Sequence, residues 1–479
     1  MKQYETLADI QRDLTTGSVT CTDLVDSFLG QIERHASLNA FVEVYKEEAR
    51  AAAQRIDQKL KEGTAGKLAG LVMGIKDLFC YRGHGLTASS RILEGFESQF
   101  TATSVQRLLD EDVIIIGRQG CDEFAMGSSN ENSVYGPVQN PIQTDKVPGG
   151  SSGGSASAVK AGLCHASLAS DTGGSIRQPA AFCDLVGLKP TYGRVSRWGL
   201  IAYASSFDVV GPITRSVEDA ARILDVIAGP DGQDNTASSH PLDEYVPNGV
   251  ENGQTYTIGY LREALESPGL DPEIKSRTLT LIEQLRAAGH ELKAVSFPLL
   301  EYVVPCYYVL TTAEASSNLS RFDGIRYGHR SQEANSLEEV YRLSRTEGFG
   351  AEVKRRIMLG TFVLSAGYYD AYYTQAMKVR RLIKQQTEKL FEGCDFLLSP
   401  TTPSTPFKQG EKTDDPVEMF LSDIFTVHAN LAGVPAISLP IGQHSNGLPI
   451  GVQLMGPSFS EKKLLNIANR TMIISKKLR

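Results

Sequence analysis

PGGSSGGSASAVKAGLCHASLASDTGGSIRQPAA, residues 148–181, decides how the rest of the chain is read. A Gly/Ser loop runs into an Ala-rich segment, an apolar run follows, and a second Gly-Gly-Ser turn closes the stretch. The paired glycines let main-chain N–H groups crowd around a small bound group, because a residue without Cβ takes positive φ freely. The interval from Ser151 to Ser175 accommodates one helix and one buried strand, which predicts both serines facing one pocket. Two hydroxyls beside free N–H groups suit acyl transfer: a nucleophile, a relay and an oxyanion hole.

Three rival readings compete. A flexible Gly/Ser linker does not continue into SDTGGSIRQPAA. A phosphate loop needs a Gly-Lys-Ser/Thr after the glycines, and none follows. Gly149 to Gly153 does match G-x-S-x-G, the nucleophile elbow, which requires a preceding strand and a later Asp and His. What precedes is NPIQTDKVP, a poor strand with two prolines. None of the eight histidines has a comparable glycine frame; His428, in FTVHANLAG, is the best candidate, and it reads more simply as a half-buried helix residue.

A serine without a histidine needs another base. LAGLVMGIKDLF holds one lysine, Lys76, inside an apolar run. Lysine titrates near 10.4 and a general base works best at about 7–8, so the site must disfavour the ammonium by roughly 4 kcal/mol. Desolvation beside hydroxyl acceptors does this. The alternative is a lysine at a strand end paired with Asp77.

With Lys76, GGSSGGS and DTGGS in hand, the chain resembles the amidase signature family, whose triad is Ser-Ser-Lys. The resemblance implies that Lys76 is the base, Ser151 the bridge and Ser175 the nucleophile. It also implies that the N–H groups of Thr172, Gly173 and Gly174, with Ser175 itself, form the oxyanion hole. DEFAMGSSNE, GSIRQPAAFC, GLKPTYGRVSRWGLIAYASS, ASSNLSRFDGIRYG and LGTFVLSAGYYDAYY are similar to one branch, the glutaminase subunits of tRNA-dependent amidotransferases. By the same resemblance Arg356 in EVKRRIMLG binds the glutamine carboxylate, Asp423 its ammonium, and Tyr307 lies beside them, with Arg355 the alternative to Arg356. Read without the resemblance, the arginines are solvated helix charges, Asp423 a helix-start charge and Tyr307 plain core. Asp184, in FCDLVGLKP, stands where the family has glycine; this bears on the local turn and not on the triad.

Composition sets the outer bounds. Of 479 residues 41% are hydrophobic and 22% charged, the balance of an ordinary globular protein with a large core. A net charge of −8 argues against a broad tRNA-binding face, so a partner would hold any tRNA. Seven scattered cysteines form no CxxC or metal spacing, which fits reduced thiols and a cytoplasmic location. MKQYETLADIQRDL has neither a signal-peptide apolar run nor a transit-peptide bias, and no stretch approaches 18 apolar residues.

Helical spacing predicts helices over 5–16 and 22–35, and a charged third over 43–61 closed by Gly63. From Gly66 short apolar runs alternate with helical segments, which predicts a sheet covered on both faces. Ser216 caps a helix ended by Gly229, and a polar loop then runs to about 254. A βαβ-like unit follows, with strand YTIGYL, a helix opened by Asp271-Pro272, and strand HELKAVSF. Residues 300–392 read as mostly helical, with 367–393 the longest helix; DFLLSP, VPAISLPI and IGVQLMG close the sheet before a helix near Glu461. The resemblance implies a single α/β domain over 1–479: a mixed sheet core with helices on both faces, N-terminal helices at 1–62, the signature core at 66–230 and a helical insertion at 300–392.

The function implied is that of a glutamine amidohydrolase subunit. Its ammonia would go to a B subunit that uses ATP and Mg to amidate misacylated Glu-tRNA(Gln) and/or Asp-tRNA(Asn), with a small C subunit completing a heterotrimer. This chain itself would hold no metal or cofactor. A stand-alone amidase active on simple amides, and a silent scaffold that never forms an acyl adduct, are the alternatives.

Overall fold

Lys76 and the Gly-Gly-Ser turn come together because two parallel strands end side by side. The computed structural model describes residues 4–246, 254–412 and 416–475. Its centre is a mixed sheet of eleven strands in the order β1-β3-β2-β4-β6-β5-β10-β11-β9-β7-β8. In chain order these are β1 Phe41–Val44, β2 Val72–Lys76, β3 Ile114–Gln119, β4 Ala166–Asp171, β5 Val186–Lys189 and β6 Val209–Thr214. The rest are β7 Thr257–Leu261, β8 Glu291–Val295, β9 Phe396–Pro400, β10 Ala436–Gln443 and β11 Pro449–Met455. β2 runs parallel to both β3 and β4, β7 runs parallel to β8 and β9, and the other pairings are antiparallel.

Every residue of β2, β3, β4, β6, β9 and β11 is buried, so both faces of the central sheet are covered. Such strands read as continuous apolar runs rather than alternations, which is why LVMGI and DVIIIG stand out. Lys76 is the last residue of β2 and Asp171 the last of β4. In parallel sheets the space beyond the carboxyl ends of adjacent strands is where loops converge on a ligand. The helix and strand expected between Ser151 and Ser175 are Gly153–Lys160 and β4.

The amino-terminal helices are Leu7–Thr15 and Cys21–Arg34, the second opened by a capping box of Thr20 and Asp23. The expected helix over 43–61 starts later. Phe41–Val44 pairs antiparallel with β3, and Lys46–Glu62 is helical, closed by Gly63 at φ 70°. Composition favours helix across 43 and 44, but an open sheet edge beside β3 takes them. β5 and β6, which the sequence does not announce, are short strands broken by glycine and proline, as in Val209–Thr214, VVGPIT.

Asp271 caps Pro272–Ala287 as expected, and β7 and β8 flank it in parallel. The polar loop expected to about 254 falls partly outside the described residues, at 247–253. Leu300–Asn318, Leu337–Gly348, Ala351–Val363 and Gln375–Phe391 make up the helical region. The segment expected as the longest helix starts at 370 rather than 367, as the π-helix Asp370–Thr374 that runs directly into Gln375–Phe391, while Leu300–Asn318 spans 19 residues. Among the described residues no helix is long and apolar enough to cross a membrane, and no cluster of His, Cys, Asp and Glu is placed to hold a metal.

Asp184 sits at φ 56°, in the left-handed region where glycine carries no Cβ penalty. Its carboxylate meets Lys160 Nζ at 2.8 Å. The turn therefore keeps a glycine-like backbone, and the side chain ties it to the Gly153–Lys160 helix.

Candidate active site

Lys76 is wholly buried, and its ammonium nitrogen is surrounded by hydroxyls. Nζ lies 2.8 Å from Ser151 Oγ, 2.8 Å from Ser152 Oγ and 3.0 Å from Ser170 Oγ. Burial lowers its pKa to about 8, against the opposing pull of the Asp122, Asp171 and Asp208 carboxylates. Asp77 is not its partner. That carboxylate, in the turn after β2, takes Arg118 at 2.6 Å and the N–H groups of Thr87 and Ser89.

Ser175 sits just past β4, and its turn is pinned by Asp171. The Asp171 carboxylate accepts N–H groups from Gly174 at 2.9 Å, Ile176 at 3.2 Å and Arg177 at 3.4 Å, on both sides of the serine. Burial by itself would raise this carboxyl, but the Arg177 guanidinium holds it down to about 2. Arg177 is fully buried and all five of its donors are used. Two go to Asp171 at 3.0 Å each, and the others go to Thr426 O, Gln453 Oε1 and Asn430 Oδ1. A fork-to-fork pair of this kind fixes the plane of the carboxylate, and with it the turn.

Of the expected oxyanion donors, Gly174 is committed elsewhere, since its N–H already serves Asp171. Thr172 sends its hydroxyl to Asp208 at 2.7 Å. Gly173 lies against Tyr307, where a Cβ would come within 2.5 Å of the tyrosine hydroxyl, so only glycine fits. Its carbonyl accepts from Thr426 Oγ1 at 2.7 Å.

The two glycine turns are joined by Gln178. Its Oε1 accepts the Gly150 N–H at 2.9 Å, and its Nε2 donates to Ser128 O at 2.8 Å. Ser128 in turn donates its hydroxyl to Asp423 Oδ2 at 2.6 Å, and burial raises the Asp423 carboxyl to about 7. Arg356 is buried, donates to Glu352 at 2.8 Å and to Tyr203 Oη at 2.9 Å, and lies 5.3 to 5.7 Å from the ring centres of Tyr308, Tyr203 and Phe420. Arg355 is about half exposed and pairs with Glu352. Ser128, Glu352, both arginines and Phe420 line one cavity of about 170 Å³.

His428 is buried rather than half-buried, with Nε2 2.7 Å from Thr387 Oγ1 and its ring stacked on Phe297. No strand leads directly into Gly149, the nearest upstream being β3, so the elbow reading loses both its histidine and its strand. Sequence reasoning passed over Ser170, Asp171, Arg177, Gln178 and Asp208. The available signal was their charge or polarity inside buried runs, since a buried ionisable group needs a paired partner.

The amidase family model matches residues 23–465. The chain is 51% identical over 476 residues to the A subunit of glutamyl-tRNA(Gln) amidotransferase from Acidobacterium capsulatum, covering 99% of this chain and 100% of that one. It is 48% identical over 513 residues to the protein of the same name from Salinibacter ruber, covering 98% and 100%. The crystal structure of the corresponding A subunit of glutamyl-tRNA(Gln) amidotransferase from Thermotoga maritima superposes with a TM-score of 0.77 at 40% identity, over 93% of this chain and 90% of that one. Matched by the family model over residues 23–465 and by these relatives along nearly its whole length, this chain belongs to the amidase signature family.

Proposed function

We propose that this chain is the glutaminase subunit of a glutamyl-tRNA(Gln) amidotransferase, and that it releases ammonia from glutamine through Lys76, Ser151 and Ser175. The observation that carries this is a fully buried lysine, lowered to about 8, held 2.8 Å from Ser151 in a chain matched end to end by proteins of that name. Neutral Lys76 takes a proton from Ser151, which takes one from Ser175 as its Oγ attacks the side-chain amide carbon. The carbonyl oxygen becomes an oxyanion, and the Thr172, Gly173 and Ser175 N–H groups receive it. On collapse the C–N bond breaks, the proton returns through Ser151 to the leaving nitrogen, and ammonia departs. Water then attacks the acyl-Ser175 ester by the same relay in reverse, freeing glutamate.

Glutamine is a zwitterion, so its pocket needs one cation and one anion. The buried Arg356 takes the α-carboxylate and Asp423 the α-ammonium, with Tyr307 between them and the Gly173 turn. Removing either charge leaves part of the zwitterion desolvated and unpaired, at about 2–5 kcal/mol. Arg356→Ala is therefore expected to lower kcat/KM for glutamine by roughly 30-fold or more. An amide without α-groups should lose little. Equal losses on both substrates in steady-state kinetics would show that these residues hold the fold instead.

The chain works in the cytoplasm beside a B subunit, which binds tRNA and uses ATP and Mg, and a small C subunit. With a net charge of −8 it is expected to bind tRNA weakly alone and to transfer ammonia to glutamyl-tRNA(Gln) only when co-expressed with both partners. Reconstitution with each partner omitted in turn tests this. Tight, salt-sensitive tRNA binding by the isolated chain would contradict this division of labour, and full activity on simple amides without partners would favour a stand-alone enzyme.

A further inference from the structure

DEFAMGSSNE, residues 122–131, supplies no reacting group, yet it touches both the first glycine turn and Asp423. Asp122 donates its N–H to Ser151 O at 3.1 Å, Asn130 Oδ1 accepts from Gly154 at 3.1 Å, and Ser128 holds Asp423. Glu123 is the member whose polar side chain reaches the start of the Ala351–Val363 helix. It is 3% exposed, and its two oxygens accept the Gly350 N–H at 3.0 and 2.9 Å. It also accepts the Ser90 hydroxyl, which lies 3.2 Å from Gly348 O.

Gly350 is the N-cap of Ala351–Val363, the helix that carries Glu352 and Arg356, and Gly348 ends the helix before it. A glycine N-cap has no side chain to satisfy the first orphan N–H groups, so the Glu123 carboxyl, which burial raises to about 7, accepts the Gly350 N–H there. The fit is close. A Cβ at position 350 would lie 2.3 Å from Glu123 Oε2, and one at 348 would lie 2.6 Å from Ile92 Cδ1. Phe349, between the two glycines, packs on Phe124 with ring centres 5.7 Å apart. A helix moves as a rod, so a shift at its first residue passes undiminished to Arg356 less than two turns along.

We infer that Glu123 is a positioning residue for substrate recognition: by fixing where the Ala351–Val363 helix begins, it sets the Arg356 guanidinium against the Asp423 carboxylate, which Ser128 holds from the same segment. The inference rests on the assignment of Arg356 to the α-carboxylate of glutamine. Glu123 touches no reacting atom, so its loss should appear in binding rather than turnover.

The test is steady-state glutamine hydrolysis by the complex co-expressed with its partner subunits. Glu123→Ala, Glu123→Gln, Gly350→Ala, Arg356→Ala and the Glu123→Ala/Arg356→Ala double variant are compared. Glu123→Ala is expected to raise KM about tenfold with kcat within about threefold of wild type. Glu123→Gln keeps an acceptor for the Gly350 N–H and should recover most of that KM. In the Arg356→Ala background the Glu123 change should add almost nothing, since a residue acting through Arg356 has nothing left to position. An additive effect there, or a loss in kcat at unchanged KM, would overturn the inference. If Glu123→Ala does not fold, Gly350→Ala decides, because it disturbs the same contact from the helix side; an unchanged KM then overturns it. An Arg356→Ala variant with wild-type KM would defeat the recognition scheme itself, and this inference with it, whatever the Glu123 variants show.

Discussion

Ser175→Ala is expected to lower glutamine hydrolysis by roughly 10⁴-fold or more while the protein folds normally. The size follows from losing the attacking atom, since the oxyanion donors and the binding charges then act on a substrate nothing attacks. The normal fold follows from how the turn is held. Its bonds run from the Gly174, Ile176 and Arg177 N–H groups to Asp171, and from Asp171 to the Arg177 guanidinium, and none passes through the Ser175 hydroxyl. Circular dichroism and melting temperature close to wild type, together with lost turnover, would be the expected pair of results. Incubation with an electrophilic glutamine analogue followed by peptide mass spectrometry should place the adduct on Ser175. An adduct on Ser151 would exchange the roles of the two serines.

Lys76 yields the second large effect. A general base acts only when neutral, and burial brings this amine to about 8. The protonated form therefore dominates below that value, and kcat should fall about tenfold per pH unit as the pH drops below about 8. Asp423 titrates at about 7 and must be ionised to pair with an ammonium, so KM for glutamine should rise below that pH as a separate limb. Lys76→Ala removes the base and leaves the Ser151, Ser152 and Ser170 hydroxyls without their common partner; about 10²–10⁴-fold of the rate should go with it. Lys76→Arg should be equally inactive, because guanidinium stays charged at every pH at which the protein is folded. Near-normal turnover in Lys76→Arg, or a kcat that is flat from pH 6 to 9, would mean that the lysine merely fills its cavity.

Local chemistry was legible in the sequence wherever a residue type has one structural use. Paired glycines beside serines marked both turns, the apolar run around Lys76 marked a buried strand end, and Ser216 and Asp271 marked helix starts that form as caps. Each is decided within a few residues, by backbone freedom, desolvation or a single cap bond. The strands β1, β5 and β6 were not legible, because their pairing depends on neighbours brought from far along the chain: Phe41 meets Gln119, and Ala436 meets Lys189. Nor does the sequence say which charge meets which. Asp77 follows Lys76 directly, yet it lies in the turn after β2 and pairs with Arg118, whereas Lys76 pairs with serines. Gly174 has the composition of an oxyanion donor, but in the folded turn its N–H belongs to Asp171. The residue types of the site are thus a property of the sequence, whereas the partner of each donor and each buried charge is decided by the tertiary structure, because desolvation forces every such group to find a neighbour and only the assembled sheet determines which neighbours are within reach.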